Sequence, residues 1–283
     1  MKARPLAVSA RDGLRLAALE WPGDPARAPL LCLPGICRTA RDFAALARRH
    51  AGRRRVVALD YAGHGESARA ADPRRYAPEA LIRDVMDMMA ALHLHGVVLV
   101  GTSFGGLAAM AIGAMRPASL AAVALNDIGP EIRPAGREAV LELIGTDPAL
   151  PSLEAATEWL CRRHPPLPAL DGPGWRAFAE RSFAPGEDGL WHPRWDIRIG
   201  RQAVGAAAGA PPDLWPFFRA LARLPLMLVW GEASTLLAAD TVAAMRRARP
   251  DMGLVALPGT GHAPTLEEAA AAAALDAFIE AVP

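Results

Sequence analysis

This chain of 283 residues has only one lysine (Lys2), three cysteines and two tyrosines. Nearly all positive charge is therefore arginine, and 31 basic side chains against 30 acidic ones leave a formal charge of +1. No basic excess is available to hold a nucleic acid, and no acidic tail is present. The cysteines, Cys32, Cys37 and Cys161, are odd in number and cannot form a disulfide framework. Cys32 sits in the apolar run Leu30–Leu33 and is expected to be a small core residue. No apolar stretch reaches the length of about 18 residues needed to cross a bilayer. The opening MKARPLAVSARDG carries no apolar core of a secretory signal. The expectation is a cytoplasmic, reducing compartment with no membrane or nucleic-acid partner. No His/Cys/Asp cluster has metal-ligand spacing, and neither a metal nor a cofactor is expected. The sequence sets no oligomeric state.

What is present is core-forming material: 52% hydrophobic and 22% charged residues exclude a disordered chain. Leu14, Leu16 and Ala18 alternate after the turn pair Asp12-Gly13, which predicts an edge hairpin. Short apolar runs follow at Pro29–Leu33, Val56–Leu59, Val97–Val100, Ala121–Leu125, Leu226–Trp230 and, more weakly, Gly253–Leu257. Each is bounded by turn residues, as strands buried on both faces of a parallel sheet are. Helical spacing separates them, for instance at Leu81, Val85, Met88, Met89 and Leu92, and at Leu107 to Met115 before Pro117. Alternating strands and helices predict an α/β fold.

The alternation stops at Asn126. From Gly129 to about Trp215 helices are predicted at Arg137–Ile144 and Leu153–Arg163 and no buried strand. Five of the seven tryptophans fall there: Trp159, Trp175, Trp191, Trp195 and Trp215. The segment reads as a helical insertion at 129–215 within one core formed by 1–128 and 216–283. Leu275, Phe278 and Ile279 give the alanine-rich C-terminal stretch the apolar face of a closing helix.

Val97–Val100 runs directly into Gly101-Thr102-Ser103-Phe104-Gly105-Gly106, with helical spacing after it. A G-x-S-x-G turn between strand and helix holds its serine in a strained conformation with the hydroxyl exposed, and the next N–H, that of Phe104, faces the same space. A serine nucleophile needs a base. His262 lies in a Gly-rich loop after the last strand, at the edge of the sheet where Ser103 is expected. His64, in Gly63-His64-Gly65-Glu66-Ser67, is at the same edge and reads as structural. The loop Leu33-Pro34-Gly35-Ile36 is the expected source of a second oxyanion donor, the N–H of Ile36. Cys37 beside it has no histidine near it in sequence and reads poorly as a nucleophile.

Together Leu33-Pro34-Gly35, Asp60-Tyr61-Ala62-Gly63-His64-Gly65-Glu66-Ser67, Gly101–Gly106 and Gly261-His262 resemble the α/β-hydrolase superfamily over essentially the whole chain. The resemblance implies a mostly parallel central sheet with a helical cap inserted after the sixth strand. Pro34 stands where the family usually has His, and Ala62 where it usually has Arg, departures expected to affect loop support. Much of the family has its triad acid just after strand seven, but Gly231-Glu232-Ala233-Ser234-Thr235 contains no Asp. Asn126-Asp127-Ile128-Gly129-Pro130 instead resembles a subset of small esterases with the acid after strand six. Asp127 is therefore the expected acid and Glu232 the reserve. The implied function is a serine esterase with a small-molecule ester, lactone or thioester substrate of small to medium apolar acyl groups. Trp159, Trp191 and Trp195 of the cap are expected to contact that substrate. C–C bond hydrolysis or cofactor-free perhydrolysis on the same triad, and a non-catalytic ligand-binding role, are the alternatives.

Overall fold

The structure is a computed structural model and describes residues 2–200 and 212–283. Part of the expected cap, residues 201–211, therefore lies outside the described residues. The predicted hairpin forms β1 (Arg4–Ser9) and β2 (Arg15–Trp21), and the apolar runs form β3 (Leu30–Leu33), β4 (Val56–Leu59), β5 (Val97–Thr102) and β6 (Leu120–Asn126). After β7 (Phe183–Pro185) and β8 (Trp191–Pro193) come β9 (Leu226–Gly231) and β10 (Gly253–Leu257). The main sheet has the order β1-β2-β4-β3-β5-β6-β9-β10. β1, β2 and β4 pair antiparallel in succession, and every other neighbour is parallel. All parallel strands therefore end on one edge, where loops from several of them converge.

Period two divides each strand between two cores. Leu31, Leu33, Leu59, Leu99, Val123 and Leu125 face α2 (Pro78–Ala91), α3 (Phe104–Met115) and, further on, α8 (Ala239–Ala248). Leu30, Cys32, Val56, Val98, Val100 and Ala124 face α1 (Ala44–His50) and α9 (Ala269–Glu280). The alanine-rich α9 is held there by Ala271, Leu275 and Ile279, an i, i+4, i+8 stripe that is fully buried. Buried Arg54 adds a tether, donating to the carbonyls of Ala28, Ile279 and Val282.

Between β6 and β9 lie α4 (Pro134–Ile144), α5 (Leu153–Arg163), α6 (Gly172–Ser182) and α7 (Trp215–Ala220). Leu153, Ala156, Leu160, Leu167, Phe178 and Phe183 form a separate apolar cluster inside this segment. No buried strand is expected here; the segment carries a short, only partly buried ribbon β7–β8, which pairs Phe183 with Pro193 and Pro185 with Trp191. Three-residue strands are too short for any alternation to show in sequence. The ribbon's exit is stitched to the core: Gly65 N–H donates to Arg194 O at 2.7 Å, Asp196 N–H to Gly63 O at 2.8 Å, and Tyr76 Oη–H to Asp196 Oδ2 at 2.7 Å. Among the described residues no helix is long and apolar enough to cross a membrane.

The junction of β5 and α3 leaves no room for a side chain at Gly101 or Gly105. A Cβ on Gly105 would stand 2.1 Å from the Leu33 carbonyl oxygen, and one on Gly101 2.4 Å from the Gly105 oxygen. Both obstacles are backbone, which cannot step aside. Gly105→Ala should therefore cost upward of about 3 kcal/mol, beyond ordinary overpacking. Gly253→Ala, where the nearest atom to the new methyl is 3.7 Å away, should change stability by less than about 1 kcal/mol. Urea unfolding of the two variants checks the contrast; similar midpoints would contradict it.

Candidate active site

The convergent edge brings together three side chains from three loops. Ser103 turns from β5 into α3 with φ 51° and ψ −115°, a conformation costly for any residue but glycine. The glycines leave room for the turn, which lifts Oγ clear of the sheet. His262 comes from the loop between β10 and α9, and Asp127 from the first position after β6, also at positive φ. His262 Nδ1 lies 2.7 Å from Asp127 Oδ2, and His262 Nε2 lies 2.9 Å from Ser103 Oγ. An ionised carboxylate can only accept, so the ring proton sits on Nδ1 and donates to Asp127. Nε2 then presents its lone pair to the Ser103 hydroxyl, which donates to it. Asp127 is fully buried, and its second oxygen accepts from the Gly231 N–H at 2.9 Å. The carboxylate is thus clamped on both sides and dry. Glu232 is exposed, and no hydrogen bond joins it to His262 among the described residues.

Two backbone donors border Ser103. The N–H groups of Ile36 and Phe104 have no protein acceptor among the described residues. The Ile36 loop is pressed against the serine: a Cβ on Gly35 would lie 3.5 Å from Ser103 Cβ. Tyr61 Oη–H, donating to Pro34 O at 3.0 Å, supports this loop where the family pattern would have His. His64, expected to be structural, has Nε2 2.6 Å from Ile36 O and Nδ1 3.1 Å from Ala62 O. Burial lowers its pKa. With a ring N–H on Nε2 donating to Ile36 O, His64 holds the Ile36–Cys37 peptide, the one that follows the Ile36 N–H in the loop. Asp60 anchors the same region by accepting from the N–H groups of Ala40 and Glu66 at 2.7 and 3.0 Å. Burial pushes this carboxyl up to about 6.

A cavity of about 230 Å³ opens on Ser103 and His262, walled on the insertion side by Leu143, Leu160, Phe178 and Trp195. Trp195 is buried, with Nε1–H donating to Ile144 O at 3.0 Å. The other two expected contacts, Trp159 and Trp191, are not among the residues that line this cavity. Leu160, Arg163 and His164 turn one face of α5 and its C-terminal end toward it, and Trp159 falls off that stripe. Its ring meets Phe183 edge-on instead, 5.8 Å between centroids. Trp191 is held in the ribbon and bridges Leu150. Sequence reasoning missed the polar side of the wall, including Arg38, Arg181 and His164. Each sits at a loop or helix end, where no periodicity marks a direction. Burial, with Arg38 and His262 nearby, pushes His164 down to about 4, so it is a neutral group at physiological pH.

Cys37 also borders the cavity, yet burial pushes its thiol up to about 12. Almost none is thiolate at pH 8, and the thiolate is the nucleophile. Brief iodoacetamide treatment of the native protein at pH 8 should modify exposed Cys161 and leave buried Cys32 and Cys37 intact until denaturant is added. Peptide mass spectrometry reads the result; rapid native labelling of Cys37 would overturn this account.

Known proteins share this architecture. Residues 30–275 match the model of the alpha/beta hydrolase family. The chain is 31% identical over 264 residues to a 3-hydroxybutyrate-oligomer hydrolase of Cupriavidus necator, covering 90% of this chain and 89% of that protein. It is 27% identical over 234 residues to a 2-(acetamidomethylene)succinate hydrolase of Mesorhizobium japonicum, covering 82% and 81%. Among solved structures, an alpha/beta hydrolase from Novosphingobium aromaticivorans superposes with a TM-score of 0.94 at 38% identity, with both chains covered in full. With its sheet order, its strand–serine–helix turn and these similarities, the chain belongs to the alpha/beta hydrolase family.

Proposed function

We propose that this hydrolase cleaves carboxylic esters of small to medium acyl groups, with lactones and thioesters in the same chemical range, through an acyl-enzyme on Ser103. The observation that carries the reading is the unbroken chain from Ser103 Oγ through His262 to Asp127, at 2.9 and 2.7 Å, beside two unpaired N–H groups. His262 Nε2 takes the hydroxyl proton as Ser103 Oγ attacks the carbonyl carbon. The oxygen of the tetrahedral intermediate is held by the Ile36 and Phe104 N–H groups, where such donors act at full strength in a water-poor site. The imidazolium returns its proton to the leaving alkoxide, and the acyl-enzyme remains. Water, deprotonated by the same ring, then releases the acid and restores Ser103. Buried Asp127 keeps the ring in the productive tautomer and stabilises its charged form.

Similarity to a 3-hydroxybutyrate-oligomer hydrolase supports an ester target, since oligomers of a hydroxy acid are joined through ester carbonyls. Residues 129–215 are read as a cap that selects the acyl group, supported by the residues α4, α5 and α6 contribute to the cavity wall. A small-molecule substrate fits a cavity of this volume.

On a short-chain p-nitrophenyl ester, Ser103→Ala should lower kcat by about 10⁶-fold and Asp127→Asn by about 10⁴-fold, while Glu232→Gln stays near wild type. A fluorophosphonate probe should label Ser103. Turnover by Ser103→Ala within tenfold of wild type would end this reading. A crippled Glu232→Gln beside an active Asp127→Asn would move the acid to the loop after β9.

A further inference from the structure

The cavity wall carries more positive charge than it neutralises. Its charged side chains are Arg38, Arg163, Arg181, Asp42 and Glu142. Arg163 and Glu142 pair at 3.0 Å, with both side chains about half exposed or more. Among the described residues, Asp42 is the one carboxylate paired with the other two arginines. It accepts from Arg38 Nε and Nη2 in bidentate fashion and from Arg181 Nε at 3.0 Å. Two guanidinium groups on one carboxylate leave one positive charge over.

That charge has a location and free donors. Every nitrogen of Arg38 already has a protein partner, Nη1 donating to Ser182 Oγ. Arg181 gives only Nε to the protein, and its Nη1 and Nη2 groups have no acceptor among the described residues. Those nitrogens form the planar fork that suits a carboxylate. The setting is partly dry, with Arg181's side chain 23% exposed and Asp42's 21%. The Phe178 ring lies against both arginines, 3.6 Å from Arg38 Cζ and 5.8 Å from Arg181 Cζ. An excess cation in such a place is costly without an anion beside it. Arg38, Asp42 and Arg181 line the same cavity as Ser103 and His262, and on the core side the Cβ position of Gly35 is 3.5 Å from both Arg38 Cγ and Ser103 Cβ.

We propose that the cavity takes an ester carrying a free carboxylate, which Arg181 binds through its open fork with the Arg38–Asp42 pair behind it. This rests on the esterase reading for the identity of the scissile bond, but the anion subsite can be tested without turnover. The carboxylate can sit on the acyl side, as in monomethyl glutarate, or on the alcohol side, as in 4-acetoxybutanoate. The uncharged counterparts are dimethyl glutarate and methyl 4-acetoxybutanoate.

The experiment is calorimetric titration of the full-length Ser103→Ala protein with these four compounds. At least one carboxylate should bind about 10- to 100-fold tighter than its methyl ester, the range for a charge-assisted hydrogen-bonded contact. Adding Arg181→Gln should reduce that ratio to near one, and Arg181→Lys should keep part of it. A purely structural latch between insertion and core would weaken charged and uncharged ligands alike and leave the ratio unchanged. The proposal is overturned by equal binding within both pairs, by no detectable binding of either carboxylate at millimolar concentration, or by a preference that survives Arg181→Gln. Wild-type kinetics on neutral p-nitrophenyl esters separate the two readings. Turnover without any carboxylate preference removes the subsite and keeps the esterase, whereas carboxylate-selective binding with no turnover of any ester does the reverse.

Discussion

The first turn of α3 lies against β3 so closely that a Cβ on Gly105 would meet the Leu33 carbonyl oxygen at 2.1 Å. Much of the site follows from that approach. It forces the chain to reverse within one residue, and the residue at the reversal is Ser103 with positive φ. The strain is local, on the order of 1–3 kcal/mol, and is offset by the packing of β3, β5 and β6 on both faces of the sheet. The same approach brings the loop after β3 beside the serine, so that the Ile36 and Phe104 N–H groups border one space. A looser strand–helix contact would lose the exposed hydroxyl and both donors together.

Parallel register does the rest. β5, β6 and β9 run side by side in that order, with Thr102 opposite Asn126 and Asn126 opposite Val229. Asp127 therefore emerges one residue beyond the sheet, next to the end of β5 and within reach of the Gly231 N–H at the end of β9. The Ser103 N–H is itself tied to Asn126 O at 3.0 Å. Serine, carboxylate and the clamp on that carboxylate thus share one network of backbone bonds. Only His262 must be delivered from a longer loop, and Asn126 helps there by donating to Pro264 O at 2.8 Å.

This dependence on backbone explains what the sequence made legible. Each of the apolar runs read as a strand became one: the inner strands are buried on both faces and leave an unbroken apolar signature, whereas the weaker run Gly253–Leu257 forms the edge strand β10, which is partly exposed and not buried on both faces as expected. The glycines around Ser103 and His262 marked turns for the same physical reason that they are required there. Asp127 was legible by its place after an apolar strand and its resemblance to a family variant. The insertion was not legible in the same way. Helices α4 and α5 showed their period, but β7 and β8 are too short to alternate. The tryptophans, taken from composition to be substrate contacts, divide: Trp195 reaches the cavity wall, while Trp159 and Trp191 serve the insertion's own packing. Composition carries no direction, and only the phase of α5 separates Trp159 from Leu160.

The least legible feature is the arginine pair. Asp42 and Arg181 are 139 residues apart, and each by itself is one of many charged side chains in a nearly neutral chain. Their meeting depends on α6 descending onto the loop after β3, where Ser182 and Phe178 receive Arg38. The contact therefore belongs to both parts of the molecule. On the core side it begins at Arg38, two residues past the Ile36 donor; on the insertion side it ends at Arg181, one residue before Ser182. In the proposed anion subsite, a ligand group on Arg181 would add an interaction across this seam, in the cavity that Ser103 also lines. The chemistry can stay constant while the insertion varies, since the elbow, the donors and Asp127 all rest on the sheet. What a variant insertion changes is which charge, if any, is presented beside Ser103.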